Sequence, residues 1–149
     1  MYRACLMIGL LFALALTACA AEPPTAGQLL AFGQVCDKAN DGQRVAVEGY
    51  LLLPDEFTES SSVVLRLYEV LAVDSARIGV TVQFGTDANQ LENVPTQYTD
   101  DDLKVHTAGG QVVGYQDKVR VSGKVYFPLV DQDFACGLEN PLIELAAGE

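Results

Sequence analysis

Positive charge and histidine are both scarce in this sequence. Its 149 residues contain 9 lysines and arginines against 20 aspartates and glutamates, so the net charge is −11 and the pI is about 4.3. Affinity for nucleic acids and for anionic membrane surfaces depends on accumulated lysine and arginine. The composition therefore argues against general binding to either of these partners.

The chain also lacks the motifs of several common enzyme classes. It contains no G-x-S-x-G, no H-E-x-x-H and no P-loop. His106 is the only histidine, and no nucleophile motif accompanies it although Asp100, Asp101 and Asp102 are close in sequence. We interpret His106 as a solvated strand or loop residue, and we expect a protein that is not an enzyme and that needs no metal or cofactor.

The aspartates are alternatively candidate ligands that would bind a cation through their carboxylate oxygens. Asp131 and Asp133 form a second acidic group besides Asp100, Asp101 and Asp102, but the spacing of an EF-hand loop is absent. Solvation of loops is the simpler interpretation. A metal-dependent hydrolase stays open as an alternative, as does a barrel nuclease, which would also need activating arginines such as Arg66, Arg77 and Arg120.

The N-terminus has the layout of an export signal. Arg3 supplies one positive charge, an apolar stretch runs from about residue 6 to residue 16, and small residues follow. This stretch is too short to span a bilayer. The next four residues, Leu16-Thr17-Ala18-Cys19, resemble the lipobox of bacterial lipoproteins, in which cleavage precedes the cysteine and its thiol accepts a diacylglycerol.

The lipobox resemblance implies a signal peptide over residues 1–18 and a lipid on Cys19. Residues 19–35 would then be a tether, stiffened by its prolines, and a short helix. Ala20 is similar to the outer-membrane sorting pattern, which implies an anchor in the outer membrane facing the periplasm. Several acyl chains, at about 0.8 kcal/mol per buried methylene, make such attachment stable. A plain secretory signal with an incidental cysteine is the alternative.

The remaining cysteines form an even pair. Cys5 is removed with the signal and Cys19 carries lipid, which leaves Cys36 and Cys136 in an oxidising compartment. No C-x-x-C and no nearby histidine supports a redox couple or a metal site, so we predict a disulfide. It would close a loop of 100 residues, for which the chain-entropy model gives about 4.7 kcal/mol.

Apolar residues alternate with period two in five segments of the chain. Such alternation between turn-forming residues predicts half-buried strands, and residues 36–149 are long enough for one domain with one core. The predicted strands are residues 44–53, 62–69, 77–84, 117–127 and 141–145.

Two further segments are less regular. Residues 25–36 predict one short helix with Thr25 as a cap, although Gly27 and Gly33 weaken the pattern. Residues 99–116 fit either a helix that begins after Thr99 or an extra hairpin that turns at Gly109-Gly110, and we favour the hairpin.

Two predicted strands share the pattern V-x-V-x-G, with the glycine at Gly49 and at Gly123. Glycine lets strongly bent strands curl into a closed barrel. With this pattern, residues 42–146 resemble the OB-fold, most of all the small stand-alone OB domains of exported bacterial proteins. The resemblance implies an all-β, five-stranded barrel. The usual helix between the third and fourth strands is not evident, and a β-sandwich of other topology has the same local pattern.

The OB resemblance also implies a ligand platform on the outer face of the second and third strands and the adjoining loops. Aromatic and cationic side chains at non-core positions are what a single-stranded nucleic acid, a glycan or an anionic ligand would need. The alternative is that they pair across the sheet with glutamates. These candidate ligand residues are Tyr50, Arg66, Tyr68, Arg120, Lys124 and Tyr126.

The sequence thus predicts a lipid-anchored binding or interaction module of the bacterial envelope, without catalytic activity. Its partners would be the membrane, through the anchor, and an envelope protein or a small ligand. The alternative is a structural or accessory lipoprotein that docks on an envelope protein complex.

Overall fold

The computed structural model of the chain describes residues 23–57, 60–72, 75–130 and 133–148. Cys19, the predicted signal peptide and Asp131 lie outside these residues. No helix within the described ranges has the length and apolar character needed to cross a membrane. Single 3-10 turns occur at Phe32–Gln34, Lys38–Asn40 and Asp100–Asp102.

Nine strands are found in the described residues. They are β1 (Gln28–Leu29), β2 (Arg44–Leu52), β3 (Ser62–Tyr68), β4 (Arg77–Phe84), β5 (Gln90–Leu91), β6 (Val105–His106), β7 (Val112–Val113), β8 (Lys118–Tyr126) and β9 (Gly137–Leu145).

Five of these strands close into a barrel. β2 pairs antiparallel with both β3 and β8, β3 pairs with β4, and β8 pairs with β9. The ring is completed by β9, which runs parallel to β4 through Gly79 and Gly137. The order β2-β3-β4-β9-β8 confirms the predicted all-β fold and the five-stranded barrel of OB type.

Inward-facing positions of the five strands fill the barrel. These aliphatic side chains are fully buried. Burial of each one stabilises the folded state by about 1.5 to 3 kcal/mol relative to an exposed side chain. The innermost members, all with no exposed surface, are Val47, Leu65, Leu67, Val80, Val121 and Ile143.

Gly49 and Gly123 occupy places where a neighbouring strand leaves no room for a side chain. A Cβ atom on Gly49 would lie 2.3 Å from the carbonyl oxygen of Tyr68, and one on Gly123 would lie 2.7 Å from the Cβ of Leu138. The pairing of β8 with β9 also shifts register between Ser122 and Lys124. Both glycines therefore allow the close approach of bent strands.

The predicted disulfide is present. Cys36 and Cys136 are bonded, with their Cα atoms 5.4 Å apart, and Cys136 is completely buried. The bond joins the segment before β2 to the residue that precedes β9. It therefore links the chain before the first barrel strand to the start of the last one.

The extra hairpin is also confirmed. β6 and β7 pair antiparallel, and Gly110 adopts a positive φ of 80° in the turn between them. β6 pairs with β5, which itself runs parallel to β4, so the hairpin extends the sheet beyond the barrel. The helix alternative is reduced to the 3-10 turn Asp100–Asp102.

Two predictions about element boundaries are wrong. Instead of a helix over residues 25–36, Gln28–Leu29 forms a strand parallel to β2, and only Phe32–Gln34 is helical. The amide of Leu30 donates to the carbonyl of Ala46 at 2.9 Å, and this backbone pairing outweighs the weak helical pattern. In addition, β9 begins at Gly137 rather than at residue 141 because it continues past the register shift.

We expect Gly49→Ala to lower the free energy of unfolding by about 1 to 3 kcal/mol, because the added methyl group would collide with the backbone of β3. Urea denaturation measures this change. Gly33→Ala is the matched control, since its Cβ would meet no atom within 4 Å, and it should change stability by less than about 0.5 kcal/mol. Equal effects of the two substitutions would contradict this account of Gly49.

Candidate interaction surface

The six candidate ligand residues are divided among separate parts of the barrel surface. Tyr50 and Tyr68 are neighbours across β2 and β3, and Arg66 lies on the same face of β3. Tyr126 lies elsewhere, with its hydroxyl 3.3 Å from that of Thr81. The structure therefore brings Tyr50, Tyr68 and Arg66 together, places Arg120 on the adjoining strand opposite Glu48, and leaves Lys124 and Tyr126 farther along β8.

Three cations of β8 pair with glutamates of adjacent strands. Arg120 donates to Glu48 at 2.8 Å, and Lys118 lies 3.4 Å from the same carboxylate. Hydrogen bonding by Arg120 lowers the pKa of Glu48 below its usual value. Lys124 lies 3.6 Å from Glu139 of β9. Here the geometry follows the alternative interpretation, in which cations pair across the sheet.

Arg66 is the centre of a charged cluster on the outer face of β3. Its side chain is only 14% exposed, and its guanidinium lies 2.6 Å from both Asp55 and Asp133. Asp55 belongs to the loop between β2 and β3, and Asp133 belongs to the loop between β8 and β9. Arg77 lies 3.4 Å from Asp133. The cluster therefore ties two loops to the strands beneath them.

The electrostatics of this cluster depend on the hydrogen bond between Arg66 and Asp55. That bond lowers the pKa of Asp55, and the positive charges of Arg66 and Arg77 lower it further. Hydrogen bonding to Asp55, together with the charge of Asp133, raises the pKa of Arg66. Arg66 is thus a permanently charged group whose charge is already balanced within the protein.

Phe134 holds the loop between β8 and β9 against the barrel. It is 9% exposed and packs over Gly79, where a Cβ atom would lie 2.8 Å from its ring and 2.9 Å from Val64. At the end of this loop, the carbonyl of Cys136 accepts a hydrogen bond of 3.0 Å from the amide of Gly79. Gly79 is therefore the point on β4 where this loop makes its closest contact.

Two clefts flank Arg77 at this end of the barrel. One, of about 590 Å³, lies between residues 75–77 on one side and residues 127–130 and 133–135 on the other, and is also lined by Lys38. The ammonium of Lys38 lies over the ring of Phe127, 3.4 Å from its centroid. The other cleft, of about 450 Å³, is lined by Tyr68, Leu71 and Arg77 among other residues.

Apolar side chains project into solvent from both loops beside these clefts. Leu129 and Val130, between β8 and β9, are 102% and 68% exposed, and Val70 and Leu71, between β3 and β4, are 52% and 46% exposed. Contiguous exposed apolar patches mark contact surfaces, and the two loops that carry these residues line the two clefts beside Arg77. We name the two clefts with these four residues the loop surface.

The loop surface was not predicted from the sequence. Its signal is the apolar run Pro128-Leu129-Val130, which lies beyond the end of a strand and next to aspartates, outside any period-two pattern. The sequence position of this run, after a strand, indicates a loop, but only the fold places that loop near the one that carries Leu71.

Another aromatic group near these loops has a packing role. Phe57 contacts Tyr98 and Phe84, with ring centroids 4.6 Å and 5.9 Å away. The hydroxyl of Tyr98 donates to the carbonyl of Pro54 at 2.8 Å, and burial raises the pKa of Tyr98. These rings support the loop between β2 and β3.

His106 does not join the aspartates near it in sequence. Its Nε2 lies 2.9 Å from Glu92, whereas Asp100 accepts from the amide of Leu53 and Asp102 from that of Thr99. These contacts give the two aspartates structural roles. Within the described ranges, no group of three or more histidine, cysteine, aspartate or glutamate side chains has the geometry to hold a metal ion.

The chain matches no protein-family model, no curated protein and no solved structure. Its function therefore has to be inferred from the chemistry of its own surface.

We expect Arg66→Met to raise the pKa of Asp55 toward the ordinary value of about 3.9, because the hydrogen bond and the nearest positive charge are both removed. Carboxyl carbon NMR shifts followed against pH measure this. Arg120→Met is the matched control, which should raise the pKa of Glu48 and leave that of Asp55 unchanged. An unchanged Asp55 titration in Arg66→Met would contradict the cluster.

The same cluster predicts a pH dependence of stability. Because the folded-state pKa of Asp55 is lowered, its stabilising contribution is present above the unfolded value of about 3.9 and is lost as pH falls through the folded value. Asp55 is 82% exposed, so screening keeps this contribution small. Urea midpoints measured from pH 6 down to pH 2 should decline less steeply in Asp55→Asn than in the unsubstituted protein.

Proposed function

We propose that this protein is a lipid-anchored, non-catalytic interaction module of the bacterial envelope, and that it binds an envelope protein through the loop surface. The observation that carries the proposal is the exposure of Leu71, Leu129 and Val130 on two neighbouring loops of an OB-type barrel. In OB domains, the loop between the fourth and fifth barrel strands is one of the segments that hold the ligand, and here that loop is the one between β8 and β9, which carries Leu129 and Val130.

The charges around the loop surface favour a protein over an anionic ligand. Arg66, the cation expected to recognise an anion, is already paired with Asp55 and Asp133. Arg120 and Lys124 are also paired with glutamates. A nucleic acid or an acidic glycan would have to displace these carboxylates in a chain of charge −11. An apolar patch on a protein partner would instead bury Leu129 and Val130 without that cost.

The anchor supports the same role, because a tethered domain meets its envelope partners at a raised effective concentration. We expect Cys19→Ala to lose membrane association, since the lipid is the attachment. Carbonate washing followed by fractionation measures this. Retention of Cys19→Ala in the washed membrane fraction would contradict the lipid anchor.

The interaction surface is tested by site-specific photo-cross-linking in intact cells. A photoreactive residue in place of Leu129 should yield a protein adduct of defined mass, because this side chain would lie in the interface. Leu71→Asp, combined with the same probe, should reduce that adduct at least about tenfold by placing a charge in the apolar contact.

The matched control carries the photoreactive residue at Val112, which is similarly apolar and 51% exposed but lies on the β6–β7 hairpin. It should give no adduct of that mass. Equal adducts at both positions, or an adduct at residue 129 that Leu71→Asp leaves unchanged, would contradict the proposed surface.

A further inference from the structure

The first described residues of the chain are fixed to the barrel. A Cβ atom on Gly27 would lie 2.3 Å from the backbone of Val45, and β1 pairs with β2 directly after it. The side chain of Arg44 also donates to the carbonyl of Thr25. The segment that follows the predicted lipidation site is therefore part of the folded domain from about residue 25 onward.

Little chain is left to separate the barrel from a lipid on Cys19. Only residues 20–24 lie between Cys19 and Thr25, and a fully extended chain across these six residue steps reaches at most about 22 Å. Pro23 and Pro24 line a groove on the barrel surface of about 490 Å³. Attachment at Cys19 would therefore hold this groove close to the lipid headgroups.

The composition of the groove fits that position. Its described lining residues include Ser62, Thr81, Gln83, Asn89 and Asn140, and none of the described ones is charged. On a chain of charge −11, an uncharged surface is the one that can approach anionic headgroups with the least repulsion. Amide and hydroxyl groups also exchange hydrogen bonds readily with headgroups and water.

The loop surface lies at the other end of the same strand. Arg77 and Gln83 are six residues apart on β4, which at about 3.3 Å per residue separates them by about 20 Å. Gln83 lines the uncharged groove, whereas Arg77 lines both clefts of the loop surface. The two surfaces are thus distinct ends of one rigid barrel.

We infer that the groove around Pro23, Pro24 and Gln83 is a membrane-apposed surface that contacts lipid headgroups, and that the anchored barrel presents the loop surface to the aqueous side. This inference rests on the lipid anchor of the proposed function. It adds that the short tether fixes an orientation, so that the partner of the loop surface is reached from the periplasm and not from the bilayer.

The test uses the lipidated chain, purified from membranes and inserted into nanodiscs that contain a paramagnetic headgroup lipid. Because paramagnetic broadening falls steeply with distance, the amide signals of Ser62, Gln83 and Asn140 should broaden several-fold more than those of Leu71 and Leu129. Stronger broadening at Leu71 and Leu129, or uniform broadening over the barrel, would overturn the inference.

A tether variant provides the matched control. A Gly/Ser insertion of about twelve residues between Glu22 and Pro23 adds a flexible segment with an r.m.s. length of about 20 Å. It should abolish the difference between Gln83 and Leu129 while the protein still co-elutes with nanodiscs. A difference that persists unchanged would show that the tether does not set the orientation.

Mass spectrometry and co-elution with nanodiscs test the lipid anchor separately from the orientation. If the chain purified from membranes carries no lipid by mass spectrometry and does not co-elute with nanodiscs, the lipid anchor is wrong and the inference falls with it. If it is lipidated and co-elutes but broadens uniformly, only the orientation is wrong.

Discussion

The parallel pairing of β9 with β4 is the constraint on which the rest of this structure depends. It closes the barrel, and it brings the preceding loop across the outer face of β4. At that point the carbonyl of Cys136 accepts from Gly79, and the sulfur of the same residue is bonded to Cys36. Since one residue thus serves both the ring closure and the disulfide, the position of the loop is determined by the fold itself. Phe134, Asp133 and Leu129 are placed by this loop, and with them one side of the loop surface.

The charged cluster around Arg66 connects two loops to the barrel, a role that its residue types alone do not indicate. An arginine on a barrel face suggests an anion site, but Arg66 is shielded and bridged to two loops by Asp55 and Asp133. Because Asp55 is 82% exposed, this pair contributes little to net stability. Beside it, Leu71, Leu129 and Val130 are exposed, together with Lys38 and a partly exposed Arg77. Because Arg66 is already paired with two carboxylates, we propose that the exposed apolar residues, and not this arginine, contact the partner.

Much of the fold could be predicted from the sequence because its signals are local. Alternating residues such as Val119, Val121 and Val125 indicate strands, and the two cysteines that follow the predicted signal and lipidation site indicate a disulfide. The helix predicted over residues 25–36 was wrong because its backbone finds partners on β2, which no local pattern encodes. The loop surface could not be predicted because Leu71 and Leu129 are 58 positions apart, and only the closed ring places their loops beside a common residue, Arg77. The proposed ligand roles of six residues stay predictions: Tyr50, Arg66, Tyr68, Arg120, Lys124 and Tyr126.

The most direct test of the central claim is a heteronuclear NMR titration of the lipid-free domain that begins after Cys19, in parallel with calcium, a single-stranded oligonucleotide, an envelope glycan and a periplasmic extract. If the loop surface is a protein-binding site, the extract will shift signals of Leu71, Arg77 and Leu129, trypsin treatment of the extract will abolish those shifts, and the pure ligands will leave the spectrum unchanged. Saturable shifts with the oligonucleotide, the glycan or calcium, or extract-dependent shifts that cluster instead at Glu48 and Arg120, would contradict the account.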